Sequence, residues 1–235
     1  MDNPLQGYMD ARYSSAEYQV QYTGATGVML RASHVLMERR IKAEQNRNVL
    51  EIGGGAMPHY KWMNTSNMES MTISDDLKVH QRPLAELTES MPSTISLKLH
   101  DYATDPDFAN VGTGFTRIVA SHVLEHISRP EEAIRLWTSL LTDDGVISIA
   151  IPCDPGWFWR FGQLYSFKRN HPTLTFEEYD LLLSREHVNS VQRLLKMLRF
   201  YFSDLKLSWF PFLVPVVDFN LACIITCRKA NLRTN

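Results

Sequence analysis

The run Asn48-Val49-Leu50-Glu51-Ile52-Gly53-Gly54-Gly55 constrains this chain most. It is an apolar strand-like segment, an acidic residue, and three consecutive glycines. Glycine takes positive φ at low cost and lets another group approach the backbone, because it has no Cβ. It also costs more backbone entropy than other residues when ordered. A glycine triplet directly after a buried strand therefore reads as a tight turn facing a ligand, against the alternative of a surface loop. The next hundred residues favour the turn. Ser70-Met-Thr-Ile-Ser74 reads as a second strand ending at Asp75-Asp76, and Thr94 to His100 as a third ending at Asp101. Phe115 to Ser121 reads as a fourth strand and Val146 to Ile151 as a fifth, closed by Pro152.

Between and around these strands lie helical patterns. Residues 28–43, with apolar positions 28, 30, 35, 37 and 41, read as a leading helix whose Arg39, Arg40 and Lys42 complement its C-terminal dipole. Pro58 to Asn64 begins either a helix or an irregular loop. Pro130 to Leu141 is amphipathic and stops at Asp143-Asp144-Gly145, a helix-ending turn. Glu186 to Phe202 reads as one further helix. Sixth and seventh strands fall within Ser203–Phe212 and at Leu221–Arg228. Strands alternating with helices imply parallel βαβ units. The expected divisions are a helical cover over 1–45, an α/β core over 46–152, a cap over 153–185, and a return to the core over 186–235.

Composition excludes several classes. With 44% hydrophobic and 21% charged residues in 235, the chain is an ordinary folded protein able to bury a full core. A formal net charge of −2 gives no general attraction to nucleic acid. Three cysteines make no disulfide framework and fit a reducing compartment. Cys223 and Cys227 lack neighbouring ligands, so no metal site is expected. Met1-Asp2-Asn3-Pro4 opens no signal peptide, and no stretch is long enough to span a bilayer. A cytoplasmic protein is expected, with the oligomeric state open.

In an open parallel sheet the ligand sits beyond the carboxyl ends of the strands, where the strand order reverses. Glu51, the glycines, Asp75–Asp76 and Asp101 all fall at such ends. Glu51 is placed to hold a loop amide, or a ligand amine or hydroxyl. Asp75 or Asp76 stands at the spacing of an acid that accepts from a ribose diol. Asp101 suits an exocyclic amine, and Tyr102 suits the side of a base. The ligand so described contains a nucleoside. No Gly-Lys-Ser/Thr motif supports phosphate binding of the P-loop kind.

With these residues in place, the chain resembles the class I S-adenosylmethionine-dependent methyltransferases. The resemblance lies in Glu51-Ile-Gly-Gly-Gly, Asp75-Asp76, His100-Asp101-Tyr102, Phe115 through Pro130 (with Ser121-His122-Val-Leu-Glu125-His126), and Asp144-Gly145 through Pro152. It implies a doubly wound, seven-stranded Rossmann-like methyltransferase sheet with an N-terminal helical cover and an inserted cap. It implies S-adenosyl-L-methionine as cofactor, held by Glu51, Gly53, Gly54, Gly55, Asp75 or Asp76, Asp101, Tyr102, Ser121 and His122. Met57 replaces the third glycine of the usual Gly-x-Gly-x-Gly, Asp143-Asp144-Gly145 replaces Pro-Gly-Gly, and Thr116 stands where many relatives carry an acid.

The implied reaction is methyl transfer to a small-molecule or saccharide acceptor, with a histidine base if the acceptor is a hydroxyl. His126 and His187 are the base candidates and His122 the neighbour. Each is otherwise a helix-capping or polar core histidine. His187 is read as opening the helix after the cap. The Trp157-Phe158-Trp159-Phe161 cluster is either a packed cap or an acceptor pocket. Arg160, Lys168 and Arg169 either attract an anionic acceptor or form a solvated face. Tyr8, Tyr13, Tyr18 and Tyr22 are lid or packing residues. The sugar acceptor rests on a loose similarity of Arg185 to Ser190 to methyltransferases of bacterial surface-polysaccharide biosynthesis. The alternatives are an RNA or protein methyltransferase, a non-catalytic protein of this fold, and an NAD-dependent oxidoreductase on a similar sheet.

Overall fold

The computed structural model describes residues 24–55, 57–170 and 173–233. The N-terminal tyrosines lie outside them. The first described helix, α1 (Gly24–Glu38), turns Met29, Ser33, His34, Leu36 and Met37 inward, while Val28 and Val35 stay exposed. The buried stripe thus differs from the one expected over 28–43. Two of its members are polar, and each has a partner: Ser33 Oγ donates to the Met29 carbonyl, and His34 Nδ1 lies 2.6 Å from His59 Nδ1. The helix also stops at Glu38, so Arg39, Arg40 and Lys42 lie beyond its last turn. A separate 3₁₀ turn, Ala43–Asn46, leads into the sheet.

The strands are β1 (Asn48–Ile52), β2 (Ser70–Asp75), β3 (Ser96–Asp101), β4 (Phe115–Ser121), β5 (Leu141–Pro152), β6 (Leu205–Phe210) and β7 (Ala222–Arg228). They form one seven-stranded sheet in the order β3-β2-β1-β4-β5-β7-β6. The first five run parallel to one another, and β7 runs antiparallel to both β5 and β6. Helix α2 (Gln81–Ser90) connects β2 to β3, and α3 (Pro130–Leu140) connects β4 to β5. Three further helices follow β5: α4 (Trp157–Asn170), α5 (Phe176–Glu186) and α6 (Val191–Tyr201).

Successive strand residues point to opposite faces. Val49 and Ile224 therefore join a layer with Met37, Leu84 and Leu87, whereas Leu50 and Ile225 join one with Trp137, Leu194 and Leu198. The sheet is covered on both faces, as a doubly wound fold requires. Among the described residues no helix is long and apolar enough to cross a membrane.

Two expected boundaries are corrected. Asp143-Asp144-Gly145 is not a turn outside the sheet. The helix ends at Leu140, and β5 already begins at Leu141, which pairs with Phe115 before the register shifts. A Cβ on Gly145 would lie 2.9 Å from the Thr142 carbonyl oxygen, so the strand absorbs the irregularity with a residue that needs no side-chain space. Nor does one helix run from Glu186 to Phe202. His187 is the C-cap of α5, and Ser190 is the N-cap of α6, its Oγ accepting from Arg193 N–H at 3.3 Å. Asn189 explains the break. It is buried, its backbone N–H donates to the Glu125 carbonyl at 3.1 Å, and its Nδ2 donates to the Leu124 and Ile127 carbonyls at 3.3 and 2.7 Å. These tertiary bonds outweigh the helical periodicity of the segment.

Arg117, in the middle of β4, is fully buried. Its Nη1 reaches Glu38 Oε1 at 2.6 Å and Asn46 Oδ1 at 2.7 Å, and its Nε donates to Ser148 Oγ at 3.0 Å. Removing one member of a buried ion pair leaves the other unpaired in a poor solvent for charge. The expected effect of Arg117→Ala is a loss of about 3–5 kcal/mol of unfolding free energy. Urea denaturation followed by circular dichroism measures it, and a change under about 1 kcal/mol, the range of exposed pairs, would contradict the arrangement.

Candidate functional site

The strand order reverses between β1 and β4, and the loops leaving their carboxyl ends face each other there. On the β1 side Gly53 has φ +74°, and its N–H donates to the Ser74 carbonyl at 2.8 Å. A Cβ at Gly53 would lie 2.3 Å from Val123 Cγ2, in the loop after β4. A Cβ at Gly54 would overlap the Glu51 carboxyl, and one at Gly55 would lie 2.7 Å from Asp75 Oδ2. All three glycines are therefore required by close approach, the first also by its backbone conformation.

Glu51 holds this turn from beneath. Its Oε1 and Oε2 accept from the His59 backbone N–H at 2.8 and 3.0 Å, so of the expected roles it fills that of binding a loop amide. Burial pushes its carboxyl up to about 8, against the His59 hydrogen bond, with the Asp75 charge adding to the rise. His59 is itself buried, which brings its imidazole down to about 4. It is neutral and donates through Nε2 to Glu38 at 2.7 Å.

Of the two acids ending β2, only Asp75 turns to the glycine loop. Its Oδ2 accepts from Gly55 N–H at 2.7 Å and its Oδ1 from Asp76 N–H at 2.7 Å. Each oxygen keeps a lone pair for a further donor. Burial raises the Asp75 carboxyl, opposed by the nearby His80. Asp76 instead caps its own turn, with Oδ1 accepting from Lys78 N–H at 3.0 Å. Asp101 pairs in register with Asp75 one strand over, and its Oδ1 accepts from Ala103 N–H at 3.2 Å. Tyr102 is half exposed, with its ring 5.9 Å from that of Phe108.

The facing wall is built from the end of β4. Ser121 Oγ is buried and, among the described residues, has no hydrogen-bond partner. His122 adopts φ +56°, uncommon for a residue with a side chain, while its N–H donates to the Ala150 carbonyl at 2.9 Å. Its Nε2 lies 3.2 Å from Ser33 Oγ and its Nδ1 3.7 Å from Glu125 Oε1. His126 presents Nε2 at 3.8 Å to the same oxygen, and its Nδ1 donates to the Glu186 carbonyl at 2.8 Å. The rings of His126 and His187 meet edge to face at 4.9 Å, and Trp159 packs on His187 at 5.6 Å.

His187 bonds through Nδ1 to Asp154 Oδ2 at 2.9 Å. Burial alone would lower its imidazole, but the Asp154 hydrogen bond and the charges of Glu125, Asp154 and Glu186 raise it above the ordinary value. Burial would likewise raise Glu125, but its contacts with His122, His126 and His187 hold its carboxyl below the usual range.

The fold thus gathers His122, Glu125, His126 and His187, and keeps Asp76 apart from the turn that Asp75 joins. Two functional positions escaped the sequence. Asp154 lies just past the end of β5, so the rule that sites form beyond strand ends could have found it. Nothing local marks Asn189. The aromatic cluster is divided: Trp159 is buried and Phe158 partly so, whereas Trp157 and Phe161 are 81% and 67% exposed. Thr116, in place of an acid, ties β4 to β1 by accepting from Asn48 N–H at 2.9 Å.

The glycine cradle, the remaining lone pairs of Asp75 and the orphaned Ser121 Oγ fit a nucleoside with a ribose diol. A family model described as "Methyltransferase domain" matches residues 28–198. Among solved structures the chain is similar to the CurJ carbon methyltransferase, with a TM-score of 0.58 and 14% identity over 91% of this chain and 57% of that one. It therefore spans under three fifths of that protein's length. It is also similar to an S-adenosylmethionine-dependent methyltransferase from Mesorhizobium loti, with a TM-score of 0.52 and 15% identity over 87% of this chain and 98% of that one. A third is the plantazolicin methyltransferase BamL in complex with a triazolic desmethylPZN analog and SAH, with a TM-score of 0.57 and 11% identity over 97% and 92%. At such identities these likenesses carry the fold alone. No curated protein sequence matches the chain.

The state of Glu51 has a measurable consequence. A carboxyl raised in the folded protein keeps its proton while the unfolded chain, near the ordinary value, loses it. Stability therefore falls as pH rises from about 4.5 toward about 8. Glu51→Gln removes this titration and keeps the acceptor. Its melting temperature is expected to fall less than the wild type's between pH 5 and pH 8. Parallel pH profiles of the two proteins would refute a protonated Glu51.

Proposed function

The chain belongs to the methyltransferase-domain family, and from that membership we propose an O-methyltransferase of a small molecule, with a saccharide hydroxyl as acceptor. That it is a class I methyltransferase follows from the family and the fold, and S-adenosylmethionine as the donor is supported by the glycine cradle and Asp75. The proposal concerns the residues and the acceptor. The observation that supports it is the Asp154–His187 hydrogen bond, which orients an imidazole next to His126 and Glu125.

Bound S-adenosylmethionine supplies a methyl group on a positively charged sulfur, which a nucleophile displaces in line. The chain's own part is to bind, orient and move a proton. Gly53, Gly54 and Gly55 let the cofactor approach the backbone, while Glu51 keeps the turn in shape through the His59 amide. Asp75 takes the ribose diol, Asp101 and Tyr102 line the base, and Ser121 and His122 complete the facing wall. His187 donates its Nδ1 proton to Asp154, which leaves Nε2 as the basic nitrogen toward an acceptor hydroxyl. The negative Glu125 favours the imidazolium that forms. Positioning of the two reactants contributes much of the acceleration in such a displacement. The saccharide class is supported by the similarity of the Arg185–Ser190 segment to surface-polysaccharide methyltransferases and by the absence of a net positive charge.

Calorimetric titration with S-adenosylmethionine is expected to show binding by the wild type. Gly53→Val and Asp75→Ala should each weaken it by about tenfold or more. No binding by the wild type would end the enzyme reading. His187→Ala should lower turnover by a factor on the order of 10²–10⁴ with cofactor affinity preserved. Transfer of a labelled methyl group into fractionated cell extract identifies the acceptor. Label entering RNA or protein would replace the small-molecule reading by either of those alternatives.

A further inference from the structure

We propose that Glu125, His126 and His187 form a binding site for a divalent first-row transition-metal ion on the acceptor side of the cleft. The inference rests on the previous reading only in taking this face as the acceptor side. One ligand atom from each residue lies within 4.8 Å of the others. Two imidazoles and one carboxylate make a donor set that suits zinc and its neighbours, and leaves coordination positions open.

The hydrogen bonds around the cluster set the imidazoles for this task. His187 Nδ1 faces Asp154 Oδ2 at 2.9 Å, and His126 Nδ1 faces the Glu186 carbonyl at 2.8 Å. A carboxylate oxygen and a peptide oxygen only accept, so both Nδ1 atoms carry the proton. Each neutral ring is left with a lone pair on Nε2, the tautomer a metal requires. A carboxylate or peptide carbonyl behind the histidine is the usual outer support of such ligands.

Glu125 supplies a second, independent observation. Its residue is 1% exposed, and among the described residues its Oε2 has no hydrogen-bond partner. Its Oε1 reaches His122 and His126 only at 3.7 and 3.8 Å, beyond hydrogen-bond distance. Oε2 thus keeps its acceptor capacity in a buried place beside the two imidazoles, where a cation would meet it. Asn189 holds the loop that carries Glu125 and His126 through the Glu125, Leu124 and Ile127 carbonyls, so the ligands are pre-positioned. The thiols do not compete, since Cys153, Cys223 and Cys227 are buried and burial keeps them protonated.

With the ion bound, both histidines act as ligands and the metal takes over activation of the acceptor hydroxyl. The O–H bond breaks and its proton passes to water. The oxygen lone pair then forms the new O–CH₃ bond as the S–CH₃ bond breaks, and the sulfonium electrons return to sulfur as a neutral thioether.

The test is titration of untagged, chelator-dialysed protein with Co²⁺, read by visible ligand-field absorption. Saturable 1:1 binding is expected, displaced by Zn²⁺. His187→Ala and Glu125→Gln should weaken it by about tenfold or more, and Asp154→Asn, which loses only the support behind His187, by about 10–100-fold. Circular dichroism establishes that each variant is folded, and the near-isosteric Glu125→Gln decides the matter if the alanine variant is not. An absence of saturable binding by the wild type overturns the proposal, as does equal affinity in wild type and folded variants. Calorimetry with S-adenosylmethionine on the metal-free protein separates the two readings. Cobalt bound without the cofactor sinks the methyltransferase assignment alone, and cofactor bound without cobalt sinks the metal site alone.

Discussion

The buried guanidinium of Arg117 is the interaction on which the rest of the structure depends. A charge in the middle of a parallel sheet must be paired, and its partners come from three separate elements. Glu38 ends α1, Asn46 sits in the turn before β1, and Ser148 lies in β5. The pairing continues outward. Glu38 accepts from His59, whose backbone N–H bonds the Glu51 carboxyl, and Glu51 lies directly under Gly54. A continuous polar chain thus joins the core to the glycine turn. It explains why α1 stops at Glu38: the last side chain of the helix is drawn inward.

The two walls of the cleft carry buried acids in opposite states. Glu51 sits in an apolar strand with only a peptide amide to meet it, and burial raises its carboxyl. Glu125 is as deeply buried, yet three histidines surround it and hold it ionised. The difference lies in the neighbours. A neutral acid on the β1 side suits a structural support beneath a cofactor cradle. A charged one on the β4 side suits a site that gathers a proton or a cation.

Much of the sheet was legible because it is written in local patterns. Short apolar or alternating runs marked the strands, with Gly, Asp or Pro closing β1, β2, β3 and β5, and the acids at three of these ends pointed to the edge proposed to bind the ligand. Errors arose wherever a distant contact competed with periodicity. The pattern of 186–202 is helical, but Asn189 is taken by the carbonyls of Leu124, Glu125 and Ile127. The face of α1 was misread because Ser33 and His34 are buried polar residues, made tolerable only by Met29, His122 and His59.

What the sequence determined by itself is the doubly wound sheet, the glycine turn and the row of acids, since each is specified by the composition and spacing of a few adjacent residues. What only the tertiary structure decided is which of those acids faces the turn and what stands opposite it. Asp75 rather than Asp76 meets Gly55, because strand register aims one side chain inward and leaves the next to its own loop. Asp154 and His187 come from different elements and meet because the chain crosses the end of β5 before α6 packs back on the sheet. Chemistry at such a meeting has no spacing along the chain, so it can be read only in three dimensions.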